Sequence, residues 1–171
     1  MTPIEAIAVF FGIVCVVLTI RQHIACWPTG LIMVILYVWI FYQARLFSDM
    51  ALQIIYIFMQ IYGWIHWARG GSRDNPLPVT RLSLQAKAAW SVVAILGTLG
   101  LGYGMNRWAG AVLPYWDAFA AVLSLIAQWL LARKILESWL LWIMVDIVSI
   151  GIYSVKELYL TAGLYVGLQG L

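Results

Sequence analysis

Polar residues interrupt this chain at near-regular intervals, and the apolar runs between them are each close to the ~20 residues a membrane-spanning helix needs. The first run extends from Pro3 to Ile20 and stops at Arg21, Gln22 and His23. The second begins near Trp27-Pro28, with Pro28 suited to a first helical turn, and ends near Arg45. A third runs from Ser48 to Trp67, and the polar stretch Arg69 to Pro78 behind it is the one long loop. Four more runs follow: Leu84 to Gly104, Trp116 to Ala132, Glu137 to Tyr153, and Lys156 to the end. The pattern predicts an all-α integral membrane protein, a single transmembrane domain over residues 1–171 with about seven transmembrane helices.

Composition sharpens this reading. Of 171 residues, 64% are hydrophobic and 10% charged, against about 25% charged in a soluble domain, so no soluble domain is expected. The N-terminus lacks the basic start of a secretory signal, and its first apolar run is read as a retained helix. The net charge of +3 is scattered rather than clustered, which removes nucleic acid as a partner. Its distribution sets an orientation. Arg21, Arg69, Arg73, Arg81, Lys87, Arg133 and Lys134 follow the odd-numbered helices one, three and five; Arg45, Arg107 and Lys156 follow the even-numbered ones. The first set is expected in the cytoplasm, which places the N-terminus outside and the C-terminus inside.

An offset of 112 positions aligns the chain with itself without a gap. Ala6, Ala8, Leu18, Arg21, Trp27, Ile35, Ile40, Leu46 and Leu52 meet identical residues, and Glu5 meets Asp117. This predicts two parallel repeats, 3–68 and 116–171, joined by a linker helix at 84–106: a 3+1+3 transporter plan. The seventh helix would be short, since the partner of Trp67 falls past Leu171.

Polar side chains within spanning helices usually face the bundle interior or a cavity. Gln53, Tyr56, Gln60, Trp64 and Trp67 share one face of the third helix at three- and four-residue spacing. Asp117, Ser124 and Gln128 align on the fifth, and Trp139, Trp142, Asp146 and Tyr153 on the sixth. Each stripe has a plainer reading. Trp27, Trp64, Trp67, Trp116 and Trp139 lie near helix ends, where Trp gathers at the headgroups. Tyr and Gln can act as interhelical glue, worth roughly 0.6 kcal/mol a contact. Asp146 differs, because a mid-helix carboxylate needs a partner, a proton or a cationic ligand. Aromatic faces, amides and one carboxylate suit a flat, polar, cationic small molecule. Cys15 and Cys26 read as buried apolar thiols. His23 and His66 have no metal-site spacing, and no phosphate loop occurs, so no cofactor and no metal is expected. Gly97, Gly100, Gly102 and Gly104 allow close helix packing, either within one chain or in a homo-oligomer.

Several runs resemble the PnuC-type vitamin transporter family: Arg21 to Pro28, Ala44 to Asp49 leading into Gln53, Gln60-Ile-Tyr-Gly-Trp64, Asp117-Ala118, and Gln128 to Lys134. The most specific, Trp139-Leu-Leu-Trp142-Ile-Met-Val-Asp146, is similar to a WxxWxxxD/N signature. The resemblance covers about Glu5 to Leu164. It implies a shape similar to SWEET sugar transporters. It also implies facilitated uptake of an unphosphorylated vitamin across the bacterial inner membrane, with retention by a separate cytoplasmic kinase. Relatives take nicotinamide riboside, thiamine, riboflavin or deoxynucleosides, and the WxxWxxxD pattern leans toward nicotinamide riboside. Ser138 stands where the family pattern has Asn. A membrane enzyme would need a carboxylate pair or a nucleophile–base pair, neither of which is visible. A purely structural subunit would give no reason for Asp146.

Overall fold

In a computed structural model the described residues are 3–45, 47–70, 77–109 and 113–169; the side chains of 47, 48, 108, 109, 153 and 156–169 lie outside the description. Among the described residues six α-helices form: α1 (Pro3–Ile20), α2 (Cys26–Gln43), α3 (Phe47–Arg69), α4 (Leu84–Gly104), α5 (Pro114–Ala132) and α6 (Glu137–Gln169). A π-helical turn, Met105–Ala109, extends α4. The helices α1, α2, α4 with the start of its π-turn, and α5 are long and apolar enough to cross a membrane. In α1 the apolar residues point all round the helix. Phe10, Ile13, Val16 and Ile20 are all exposed, as expected of side chains whose solvent is lipid.

One difference from the sequence expectation has a physical cause. The sequence places a break between Tyr153 and Lys156, separating a sixth from a seventh helix, but α6 runs through it unbroken for 33 residues. A drop in hydropathy is not a break in backbone geometry. No Gly or Pro stands there, and the Ser154 hydroxyl donates to the Ile150 carbonyl one turn back, 2.8 Å, so the helix absorbs its polar side chain. The expected linker helix at 84–106 extends a few residues further, as the π-turn 105–109.

The turns after α1 and α5 share one construction. Gln22 and Lys134 adopt left-handed backbone, φ 50° and 54°. In the first turn the Gln22 N–H donates to Thr19 and the His23 N–H to Leu18, both at 2.9 Å. In the second, Lys134 donates to Leu131 and Ile135 to Leu130, again at 2.9 Å. Both are Schellman caps, which satisfy the last helical carbonyls, and every residue of the second lies 112 positions after its counterpart. Arg45, φ 58°, closes α2 in the same left-handed conformation.

The chain divides into two units, Met1–Thr80 with Gln128–Leu136, and Arg81–Ala127 with Glu137–Leu171. In unit one α2 packs against both α1 and α3. The core is Cys26, Trp27, Trp67 and Ala132, flanked by Cys15, Leu18 and Tyr62. Trp27, only 2% exposed, meets Trp67 edge-on, with ring centroids 5.3 Å apart and planes at 79°. Gly63 makes room for the Trp27 ring, since a Cβ there would overlap it. The Trp67 indole N–H donates to the Ala132 carbonyl at 3.0 Å, tying the end of α3 to the end of α5. Thr80 then pairs with the turn beyond α5: its N–H donates to Lys134 (3.1 Å), and its carbonyl accepts from Leu136 (3.0 Å).

In unit two Gly97 lies against Val122 and Gly102 against Tyr115, so the helix-four glycines serve close packing within the chain at these two positions. The start of α4 is clasped to the start of α6. Ser83 caps α4 by accepting from the Ala86 N–H at 3.2 Å. Glu137 accepts from the Leu82 N–H at 3.2 Å and pairs with Lys87 at 3.1 Å. Partial burial pushes the Glu137 carboxyl up, but the Leu82 N–H and the Lys87 ammonium outweigh it and hold it below the usual 4.5. A depressed carboxyl stabilises the fold above its ordinary pKa and loses that contribution as the pH falls through it. Thermal stability in detergent is therefore expected to fall below about pH 4.5 in the parent, and Glu137→Gln should flatten that acid limb.

Candidate functional site

The polar face of α3 forms as its spacing requires, and of its residues Gln60 and Trp67 are buried. Gln60 is 6% exposed and reaches its position because Gly30 of α2 has no side chain. A Cβ on Gly30 would collide with the Gln60 amide and lie 3.0 Å from the Cys15 sulfur. One turn earlier Tyr56 is half-buried, and Gln53 has a buried side-chain oxygen with no hydrogen-bond partner among the described residues. An unsatisfied amide oxygen in an apolar bundle costs on the order of 1–3 kcal/mol, so Gln53 is poised to accept from a ligand or a water. Trp64, on the same face, leaves 40% of its surface exposed.

Tryptophan locations split the sequence reading. Trp27 and Trp67 are core residues rather than headgroup anchors, whereas Trp64, Trp116 and Trp139 are exposed. Helix-end position alone cannot separate these cases, because burial depends on which helix lies alongside. Cys15 and Cys26 are free thiols, and the Cys15 S–H donates to the Cys26 carbonyl at 3.2 Å.

Gln128 on α5 is 6% exposed and belongs to unit one. One residue along, Trp129 stacks on Tyr62 at 4.9 Å and 12°, and Tyr62 stacks in turn on His66. The Arg133 guanidinium lies over the Trp129 ring at 5.2 Å, and the Lys134 ammonium sits 4.3 Å from the Trp67 ring. Burial lowers the pKa of that ammonium. None of this aromatic column was among the sequence candidates. Tyr62 and His66 carry a four-residue signal, but nothing in the sequence links them to Trp129.

In unit two Ser124 is buried and donates to the Ala121 carbonyl at 2.9 Å, while Asp117 is partly buried in the first turn of α5, where a carboxylate suits the helix dipole. On α6, Ser138, Val145 and Ile152 mark the buried face. Trp139, Trp142 and Asp146 share a stripe on its flank, since each residue turns the helix by ~100°. Trp142 is half-buried, Trp139 is 36% exposed, and Asp146 is exposed rather than enclosed. The Tyr153 side chain lies outside the described residues. The Ser138 hydroxyl is buried without a partner among the described residues. No group of three or more His, Cys, Asp or Glu side chains there is arranged to hold a metal ion.

Four helices long and apolar enough to cross a membrane define a multi-pass α-helical membrane protein, and its family makes it a transporter. The chain belongs to the nicotinamide mononucleotide transporter family, whose pattern matches residues 2–171. It is 29% identical over 181 residues to the nicotinamide riboside transporter PnuC of Escherichia coli strain K12, covering 91% of this chain and 76% of that one. It is 24% identical over 142 residues to the riboflavin/roseoflavin transporter RibM of Streptomyces davaonensis, covering 81% and 66% respectively. A crystal structure of the vitamin B3 transporter PnuC superimposes with a TM-score of 0.72 at 27% identity, over 89% of this chain and 67% of that one.

Proposed function

We propose that this chain carries nicotinamide riboside into the cell by facilitated diffusion across the bacterial inner membrane, with phosphorylation by a cytoplasmic kinase retaining the product. The observation that carries the reading is the Trp139–Trp142–Asp146 stripe in a chain 29% identical to a nicotinamide riboside transporter. A pyridinium ring is flat and cationic, so it gains from indole faces by cation–π attraction and from a carboxylate by charge. Gln53, Tyr56, Gln60, Trp64 and Gln128 supply amides and rings for the ribose hydroxyls and the carboxamide. Asp117, Ser124 and Tyr153 complete the proposed set. The N-terminus is assigned to the outside and the C-terminus to the cytoplasm from the bias of Lys and Arg.

The two halves are proposed to be parallel repeats, 3–68 and 116–171, about a linker helix at 84–106. Recurrence of an entire Schellman cap at an offset of 112 supports this, and the last two helices of the second half are joined as α6. Riboflavin is the second reading, favoured by the likeness to RibM; its ring system is flat but uncharged, so Asp146 would contribute little to it.

Titration of the detergent-purified protein with each vitamin, read by tryptophan fluorescence, tests the assignment. Saturable quenching by nicotinamide riboside is the expected result. Saturation by riboflavin or thiamine alone would move the protein to a sister specificity, and no saturation by any of the three would defeat the substrate class.

A further inference from the structure

Along α1 the residues Val9, Ile13 and Val17 recur every four positions and line an apolar groove of about 370 Å³, closed on its other side by Met33 and Tyr37 of α2. Its floor is Gly12, where a Cβ would stand 3.0 Å from the Met33 sulfur, so the two helices meet closely beneath it. The next residue in the same four-residue series is Arg21, whose N–H donates to the Val17 carbonyl at 3.1 Å. The groove therefore leads along one stripe of α1 to an exposed guanidinium.

Arg21 stands at an end of unit one where the described charged residues are basic. The Trp27–Trp67–Ala132 cluster gathers the end of α1, the start of α2 and the ends of α3 and α5, which puts Arg21, Arg69 and Arg133 within about a turn or two of it. None of the three has a carboxylate partner among the described residues. The described acidic residues of unit one, Glu5 and Asp49, begin α1 and α3, roughly 20 to 30 Å away by helical rise. The Arg133 guanidinium lies over Trp129, 5.2 Å from the ring centroid, and with no carboxylate partner among the described residues its N–H donors suit an oxyanion.

We propose that this groove and its basic end bind one molecule of an anionic phospholipid, with an acyl chain along Val9–Ile13–Val17 and the phosphate at Arg21. The apolar groove distinguishes a lipid from a free phosphate, because inorganic phosphate gains nothing from it. The unpaired positive charge of Arg21, Arg69 and Arg133 distinguishes an anionic headgroup from a zwitterionic one, since each juxtamembrane cation adds a favourable contact with anionic lipid only. The site is independent of the polar faces assigned to the vitamin.

Native mass spectrometry of the detergent-purified protein titrated with phosphatidylglycerol, against phosphatidylcholine of the same chains, tests this. Expected is one phosphatidylglycerol adduct at several-fold lower concentration than phosphatidylcholine. Arg21→Gln should weaken it about fivefold, and Arg21→Lys should restore most of it. Ile13→Trp, at a position already 61% exposed, should block the adduct by filling the groove while leaving lipid-free thermal unfolding unchanged. Equal affinity for the two lipids would overturn the proposal. So would an adduct insensitive to both Arg21→Gln and Ile13→Trp, competition by inorganic phosphate at the lipid's own concentration, or occupation of the groove by a second copy of the chain.

Discussion

Gly63→Ala is expected to produce the largest loss of stability of any single methyl added to this protein. The new Cβ would overlap three atoms of the Trp27 ring, and that ring cannot retreat. It is 2% exposed, edge-packed on Trp67, and enclosed by Cys26 and Ala132. Overpacking a rigid core costs typically about 1–3 kcal/mol, and a clash against a fixed indole belongs at the upper end. The check is thermal unfolding in detergent followed by size-exclusion chromatography. Gly100→Ala is the control: nothing lies within 4 Å of its Cβ position, so the better helix propensity of Ala should stabilise it by up to roughly 1 kcal/mol. Trp27→Phe combined with Gly63→Ala should recover part of the loss, because the two changes share one contact. If Gly63→Ala melts with the parent, Trp27 is not the rigid element described here.

Trp142→Ala and Asp146→Asn are expected to weaken nicotinamide riboside binding about tenfold each, the factor that corresponds to ~1.4 kcal/mol. A cation–π contact of ~0.5–2 kcal/mol accounts for the first. The second removes a charge, so its effect should depend on the charge of the ligand. Asp146→Asn should weaken the pyridinium riboside and leave an uncharged riboside of the same shape unaffected. Trp142→Ala should weaken both. Asp146 is exposed and Trp142 half-buried, so neither substitution should disturb folding, and matched thermal unfolding separates a binding defect from misfolding. Unchanged affinity in both variants would remove the α6 stripe from the site.

The helices α1 to α5 were legible to within about two residues, because a spanning helix is set by two local quantities, apolar length and the polar residues that end it. The boundary inside α6 was not. Ser154 to Glu157 lower the hydropathy without carrying a backbone breaker, and pattern reading treats those two signals as one. The proposed repeat rests on nine identities at one offset, and the caps at Gln22 and Lys134 share a left-handed geometry at the same offset. Those residues differ chemically, so the shared left-handed geometry leaves no mark in the sequence.

The candidate faces divide in the same way. That Gln53, Tyr56 and Gln60 share a face follows from helical periodicity alone, as does the Trp139–Trp142–Asp146 stripe. Which face is enclosed is a property of neighbours. Gln60 is buried because Gly30 of another helix admits it, whereas Asp146 is left exposed one step from the buried Val145. Trp67 became a core residue through a bond to Ala132, 65 positions away. By itself the sequence determined solvent class, the lengths of α1 to α5 and the registration of polar faces, since all three arise from residues within a few turns of one another. Only the tertiary structure decided which tryptophans serve the core, which amide is enclosed and which carboxylate stays open, because burial is created by side chains distant in the chain.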